Sequence, residues 1–230
     1  FFEEGRALAK INHPNVVRVQ NFFRANETVY MVMRYERGRT LQQQIQMRQD
    51  QMSERLVRHV FMHLLNGLRE VHTHKLLHLD IKPGNILFSA DGEPKVVDFG
   101  LAKKADADTD AYAPIFGTPY YIAPERVRQE GDTFLCDIYS LAGTLYHALT
   151  GHVPFEAPTV EDVVAAHVAI PLRPASEVLS TISRATSDAL SKAMAKTPGD
   201  RFGSYDEFIM ALTAARSQLL VRQLTGRNPE

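Results

Sequence analysis

Tryptophan is missing from these 230 residues, and cysteine occurs once, as Cys136. A single thiol excludes an intrachain disulfide, and its place in an apolar stretch reads as a small buried residue in a reducing compartment. Neither sign of charge is in excess: 26 Lys and Arg against 27 Asp and Glu leave a net charge of -1. That balance gives no reason to expect nucleic acid or an anionic membrane as a partner. No apolar run is long enough to cross a bilayer, and no signal-peptide pattern opens the chain. The expectation is a cytoplasmic segment without membrane contact of its own, compatible with a membrane tether elsewhere. Internal repeats and low-complexity tracts are also lacking. What remains is a chain with 44% hydrophobic residues, enough for the core of one domain.

The informative stretch is His78-Leu79-Asp80-Ile81-Lys82-Pro83-Gly84-Asn85, followed by Asp98-Phe99-Gly100. Residues 86–88 and 95–97 read as short strands with the turn signal Ala90-Asp91-Gly92 between them, so the two loops should end side by side. They would bring together a carboxylate, an ammonium, an amide and a second carboxylate, a set suited to a metal nucleotide beside a hydroxyl. Asp98-Phe99-Gly100 alone would read as a strand and a glycine turn. Its recurrence in order with other elements reverses that reading. Residues 117–125 run Gly-Thr-Pro-Tyr-Tyr-Ile-Ala-Pro-Glu, Asp137-Ile138-Tyr139-Ser140 opens an apolar helix, and Arg201 follows Lys196-Thr197-Pro198.

In this order the motifs resemble those of a serine/threonine protein kinase, eukaryotic-like and bacterial in style, over nearly the whole chain. The resemblance implies an α+β fold, with a mostly helical large lobe (35–224), a partial small lobe (1–34: the end of a helix and two strands) and a tail (225–230). It implies that Asp80 accepts or orients the proton of the attacking hydroxyl and that Lys82 neutralises the transferring phosphoryl group. Asn85 and Asp98 would hold Mg²⁺, a hard cation that prefers oxygen ligands. Met33 matches the gatekeeper, the backbone of Arg34 and Glu36 the hinge that meets adenine, and Leu87 the floor of its pocket. Glu4 stands where a helix glutamate pairs with a strand lysine. The implied partners are ATP with Mg²⁺ and a protein bearing Ser or Thr. A pseudokinase scaffold is an alternative, as is, more remotely, a small-molecule phosphotransferase of the same superfamily. Residues 117–125 speak against the last, because such a segment shapes a groove for a peptide.

The chain departs from the resemblance in two respects. It contains neither a Gly-rich phosphate loop nor the strand lysine, so these 230 residues are expected to be the truncated, inactive remainder of an enzyme. Leu79 also stands where the familiar pattern has an arginine that receives an activation-loop phosphate. The loop at 103–116 is small and acidic, with Thr109 and Tyr112 its only hydroxyls.

Several packing expectations follow. Leu8, Val19, Phe99 and His78 should stack, anchored by Asp137, and Glu125 should pair with Arg201, as the resemblance implies. Residues 1–11 read as helix, and residues 16–23 and 28–35 as strands joined at Ala25-Asn26-Glu27. Ser53 should cap a helix burying Leu56, Val57, Val60, Phe61, Leu64, Leu65, Leu68 and Val71. Gly151 should end the apolar helix, and Ser204 and Glu207 should form a capping box. His72 and His74 read as exposed.

Overall fold

The structure, a computed structural model, describes residues 2–47, 52–105 and 119–225. Thr109, Tyr112, Gly117 and Thr118 lie outside the described residues.

Helix α1 (Phe2–Leu8) is shorter than expected. It closes through the N–H groups of Lys10 and Ile11, which donate to the carbonyls of Ala7 and Leu8 at 3.1 Å each, a tightening of the last turn that precedes Pro14. Leu8 and Ile11 are buried. Strands β1 (Val19–Ala25) and β2 (Thr28–Met33) pair antiparallel. Asn26 and Glu27 take φ of 49° and 59° at their turn, the hand that matches strand twist. The first strand starts later than position 16, because Val16 and Val17 turn to the larger body: Val16 bridges Val96, and the Val17 N–H donates to the Val96 carbonyl at 2.9 Å.

Strand β3 (Gly38–Thr40) and helix α2 (Leu41–Met47) follow. Helix α3 (Glu54–Thr73) is capped by Ser53, whose hydroxyl accepts from the Leu56 N–H at 3.4 Å. All the expected apolar positions of α3 are buried except Leu56, which is 38% exposed, while Arg58 is buried. The reason is local charge satisfaction. Glu54 accepts from Arg58 at 3.2 Å and from the Ser183 N–H and hydroxyl at 2.9 and 2.7 Å, so the carboxylate is taken inward with its bonds made and Leu56 is left outside.

Strands β4 (Leu76–Leu77), β5 (Ile86–Ser89), β6 (Pro94–Val96) and β7 (Lys103–Lys104) frame the loops of interest. β3, β5 and β6 form one small antiparallel sheet, and β4 pairs with β7. After α4 (Pro124–Val127), helix α5 (Phe134–Thr150) begins one turn before Asp137 and is buried nearly all round. Gly151 ends it at φ 78°, a conformation glycine adopts without penalty. The remaining helices are α6 (Val160–Ala169), α7 (Ala175–Val178), α8 (Arg184–Ala193) and α9 (Tyr205–Thr225). At the start of α9 the Ser204 hydroxyl accepts from the Glu207 N–H at 3.1 Å, but the returning bond to Glu207 comes from Gly203 at 2.9 Å, one residue before the expected partner.

His72 is half-buried rather than exposed, its ring 4.8 Å from Phe134 and 6.1 Å from Tyr205. His74 is also half-buried, Nδ1 lying 3.0 Å from the Glu70 carbonyl. Among the described residues, no helix is long and apolar enough to cross a membrane.

Candidate functional site

The polar cluster is built on one loop and one hairpin. Lys82 Nζ donates to Asp80 Oδ2 at 2.7 Å, and Asn85 Nδ2 donates to the same oxygen at 2.9 Å and to the Asp80 carbonyl at 2.8 Å. Asp80 Oδ2 is therefore fixed by two donors. Because Asn85 uses its nitrogen for Asp80, its Oδ1 stays available as an acceptor.

The hairpin β5–β6 returns the chain to this loop in register, Ile86 opposite Val96, and the Val97 N–H donates to the Asn85 carbonyl at 2.9 Å. Asp98 follows at once. It holds φ at 63°, and its Oδ1 accepts from the Gly100 N–H at 3.2 Å. Asn85, just before β5, and Asp98, just after β6, thus offer oxygen atoms at the open end of the hairpin, a donor set that fits Mg²⁺, which usually takes one or two protein oxygens and completes its shell with phosphates and water. Among the described residues no group of three or more His, Cys, Asp or Glu could hold a metal by itself.

His78 joins the two loops underneath. It is fully buried, and burial pushes its pKa below the ordinary value against the pull of Asp137, the Val97 carbonyl, Asp80 and Asp98. The neutral ring accepts at Nδ1 from the Asp80 N–H, 3.3 Å away, and donates from Nε2 to the Val97 carbonyl at 3.1 Å. Its ring centroid lies 4.6 Å from that of Phe99, and Leu8, Val19 and Phe99 are all buried in the same core. Asp137 anchors the stack as expected: its two oxygens accept from the N–H groups of His78 and Leu79, each at 2.8 Å. Burial raises the Asp137 pKa, and His78, these two N–H bonds and Arg126 pull against it.

The other expected residues lie along a second edge. Met33 ends β2 opposite Val19 and is 40% exposed, and the Arg34 N–H donates to the Arg18 carbonyl at 2.9 Å. Glu36 lies 3.6 Å from Arg34 and 3.7 Å from Lys95, which is opposite Leu87 in the sheet. Half-buried Leu87 and the Arg34–Glu36 segment are thereby linked through Lys95. Glu4 is half-buried in α1.

Beyond the cluster, Arg201 meets Glu125 through two bonds of 2.6 and 2.7 Å, both side chains almost wholly buried. A groove of about 390 Å³ lined by Lys82, Pro83, Tyr120, Tyr121 and His147 opens beside the Asp80 loop. Sequence reading did not find Arg126, whose Nη1 donates to the Leu79 carbonyl at 2.7 Å. It carries no local signal, because its partner lies 47 positions away.

A conserved family pattern described as the protein kinase domain matches residues 1–213. The chain belongs to that family. It is 31% identical over 210 residues to a probable serine/threonine-protein kinase of Clostridium perfringens, a match covering 91% of this chain and 30% of that protein. It is 32% identical over 220 residues to the probable serine/threonine-protein kinase PknB of Bifidobacterium longum, covering 90% of this chain and 32% of the relative. The PknA kinase of Corynebacterium glutamicum is 32% identical over 224 residues, covering 94% and 46%. The chain thus spans roughly a third to a half of these three relatives.

Proposed function

We propose that this chain is the large lobe (35–224) and part of the small lobe (1–34) of a serine/threonine protein kinase that transfers the γ-phosphoryl group of ATP to a protein hydroxyl. The observation that carries the reading is the bonded set Asp80–Lys82–Asn85 beside Asp98. Bound ATP with Mg²⁺ supplies the phosphoryl group and screens its charge, with Asn85 and Asp98 as the protein ligands. Asp80 orients the substrate hydroxyl and takes its proton as the oxygen attacks phosphorus and the bond to the departing ADP oxygen breaks. Lys82 leaves Asp80 to meet the charge on the transferring oxygens, so catalysis rests on positioning and electrostatics. Met33, Leu87 and the backbone of Arg34 and Glu36 line the adenine edge, and Glu4 receives a strand lysine. The groove at Tyr120 and Tyr121 takes the substrate peptide.

The test is phosphate transfer to serine or threonine peptides by a chain extended at its N-terminus with a Gly-rich strand pair and a lysine-bearing strand, against the 230 residues alone. The extended chain is expected to turn over and the shorter one to show little activity. In the extended chain Asp80→Asn should lower kcat by roughly 10²–10⁴-fold with ATP affinity nearly unchanged. Asp98→Asn should also weaken Mg²⁺-dependent nucleotide binding. Small, equal effects from both substitutions would refute the assignment.

A further inference from the structure

Leu79 immediately precedes Asp80 and holds φ at 64°, a region that a residue with a branched side chain occupies only when its surroundings hold it there. Both of its backbone polar groups are gripped by charge. The N–H donates to Asp137 Oδ1 at 2.8 Å, and the carbonyl accepts from Arg126 Nη1 at 2.7 Å. Arg126 in turn donates from Nε to Asp132 Oδ1 at 3.2 Å, and Lys103 Nζ lies 2.9 Å from Asp132 Oδ2. Lys103 is on β7, directly opposite Leu77, two residues before Leu79. The path Leu79–Arg126–Asp132–Lys103 therefore closes on the strand that feeds the Asp80 loop. The side chains of Arg126, Asp132 and Lys103 are only 14%, 15% and 25% exposed, so solvent screens these pairs less than ordinary surface pairs.

We propose that Asp132, held between Arg126 and Lys103, is a built-in anion that does for this chain what a loop phosphate does where an arginine occupies position 79, and that Arg126 is the positioning residue through which it fixes Asp80. The inference rests on the role given to Asp80 above. A phosphate would supply negative charge bridging the Asp80 loop to the strand after Asp98-Phe99-Gly100. Leu79 can receive none. Asp132 spans the same two elements with one carboxylate, using Lys103 on the strand side and Arg126 on the loop side. The guanidinium fork suits this task, because it can donate to the Leu79 carbonyl and the Asp132 carboxylate from separate nitrogens at once.

Two readouts test this. In the 230-residue chain, amide hydrogen exchange of the segment 77–82 should quicken by about tenfold or more in Arg126→Ala and Asp132→Asn, with α5 and α3 unchanged and Arg126→Lys intermediate. In the extended chain, the same substitutions should lower kcat by as much as roughly 10²-fold with KM for ATP little changed. Phosphatase treatment of the unsubstituted enzyme should change nothing. Unaltered exchange at 77–82, or acceleration spread over the whole chain, would overturn the proposal, as would a kinase silenced by phosphatase. If the unsubstituted extended chain transfers no phosphate, the functional reading fails. The exchange result still decides whether Arg126 and Asp132 hold the loop.

Discussion

Around Asp80 the backbone is fixed by Asp137 from α5, Arg126 from α4 and His78 from beneath, whereas Met33 sits on a hairpin held mainly by its own ladder. The hairpin shows Phe23, Tyr30, Val32 and Met33 at 39–44% exposure, while Leu79, His78 and Phe99 are buried. The difference teaches where preorganisation lies. Groups assigned to charge and proton transfer are locked into the helical body, where a small displacement is costly in rate. The edge proposed for adenine lies on a two-stranded hairpin whose apolar side chains are exposed in these 230 residues.

The largest stability effect should come from the helical side. Arg201→Met leaves the buried Glu125 carboxylate without its bidentate partner and should cost roughly 3–5 kcal/mol in urea denaturation. Glu125→Gln combined with Arg201→Met should recover much of that. A loss no greater than that of a hairpin substitution would erase the contrast.

Acid should find the same region next. His78 and His167 are fully buried, and burial depresses both pKa values from the ordinary 6.5, that of His167 to about 3. Both are neutral when folded, so their contribution is complete above pH 6.5, the unfolded value, and is lost as pH falls below it, for His167 down to about 3. Each proton taken up only on unfolding costs about 1.4 kcal/mol per pH unit. Asp137, raised by burial, works in the opposite sense from its ordinary 3.8 upward, so the clean measurement is the stability slope of His167→Gln, which should be shallower by about one proton.

On the hairpin, Phe23 and Tyr30 stack with centroids 5.5 Å apart in the open. Phe23→Ala should lower thermal stability by only about 0.5–1 kcal/mol, and a larger loss would mean that the hairpin is bound into the core after all. The smallest effect expected is that of loop phosphorylation. Thr109→Ala with Tyr112→Phe in the extended chain should change kcat/KM by well under tenfold, the equivalent of about 1.4 kcal/mol.

The sequence by itself determined whatever depends on neighbours along the chain. Asp80, Lys82 and Asn85 lie within six positions and were bound to meet on one loop. Ser53 as cap, Gly151 in the left-handed region and the turn at Asn26-Glu27 are local backbone choices written in single residues. The family resemblance extended this to distant partners it already contains, Glu125 with Arg201 and Asp137 beneath His78. Tertiary structure decided what has no local signature. Leu56 keeps the helical spacing of its buried neighbours, yet it lies outside because Glu54 finds Ser183 and Arg58. His72 fills a space that exists only once α5 and α9 supply Phe134 and Tyr205. Arg126 reaches Leu79 because α4 packs beside the loop, and periodicity cannot foretell which far-off carbonyl will need a cation. Propensity and spacing act over a few residues, but satisfying a buried charge or a strained carbonyl requires partners that only the folded chain brings within bonding distance.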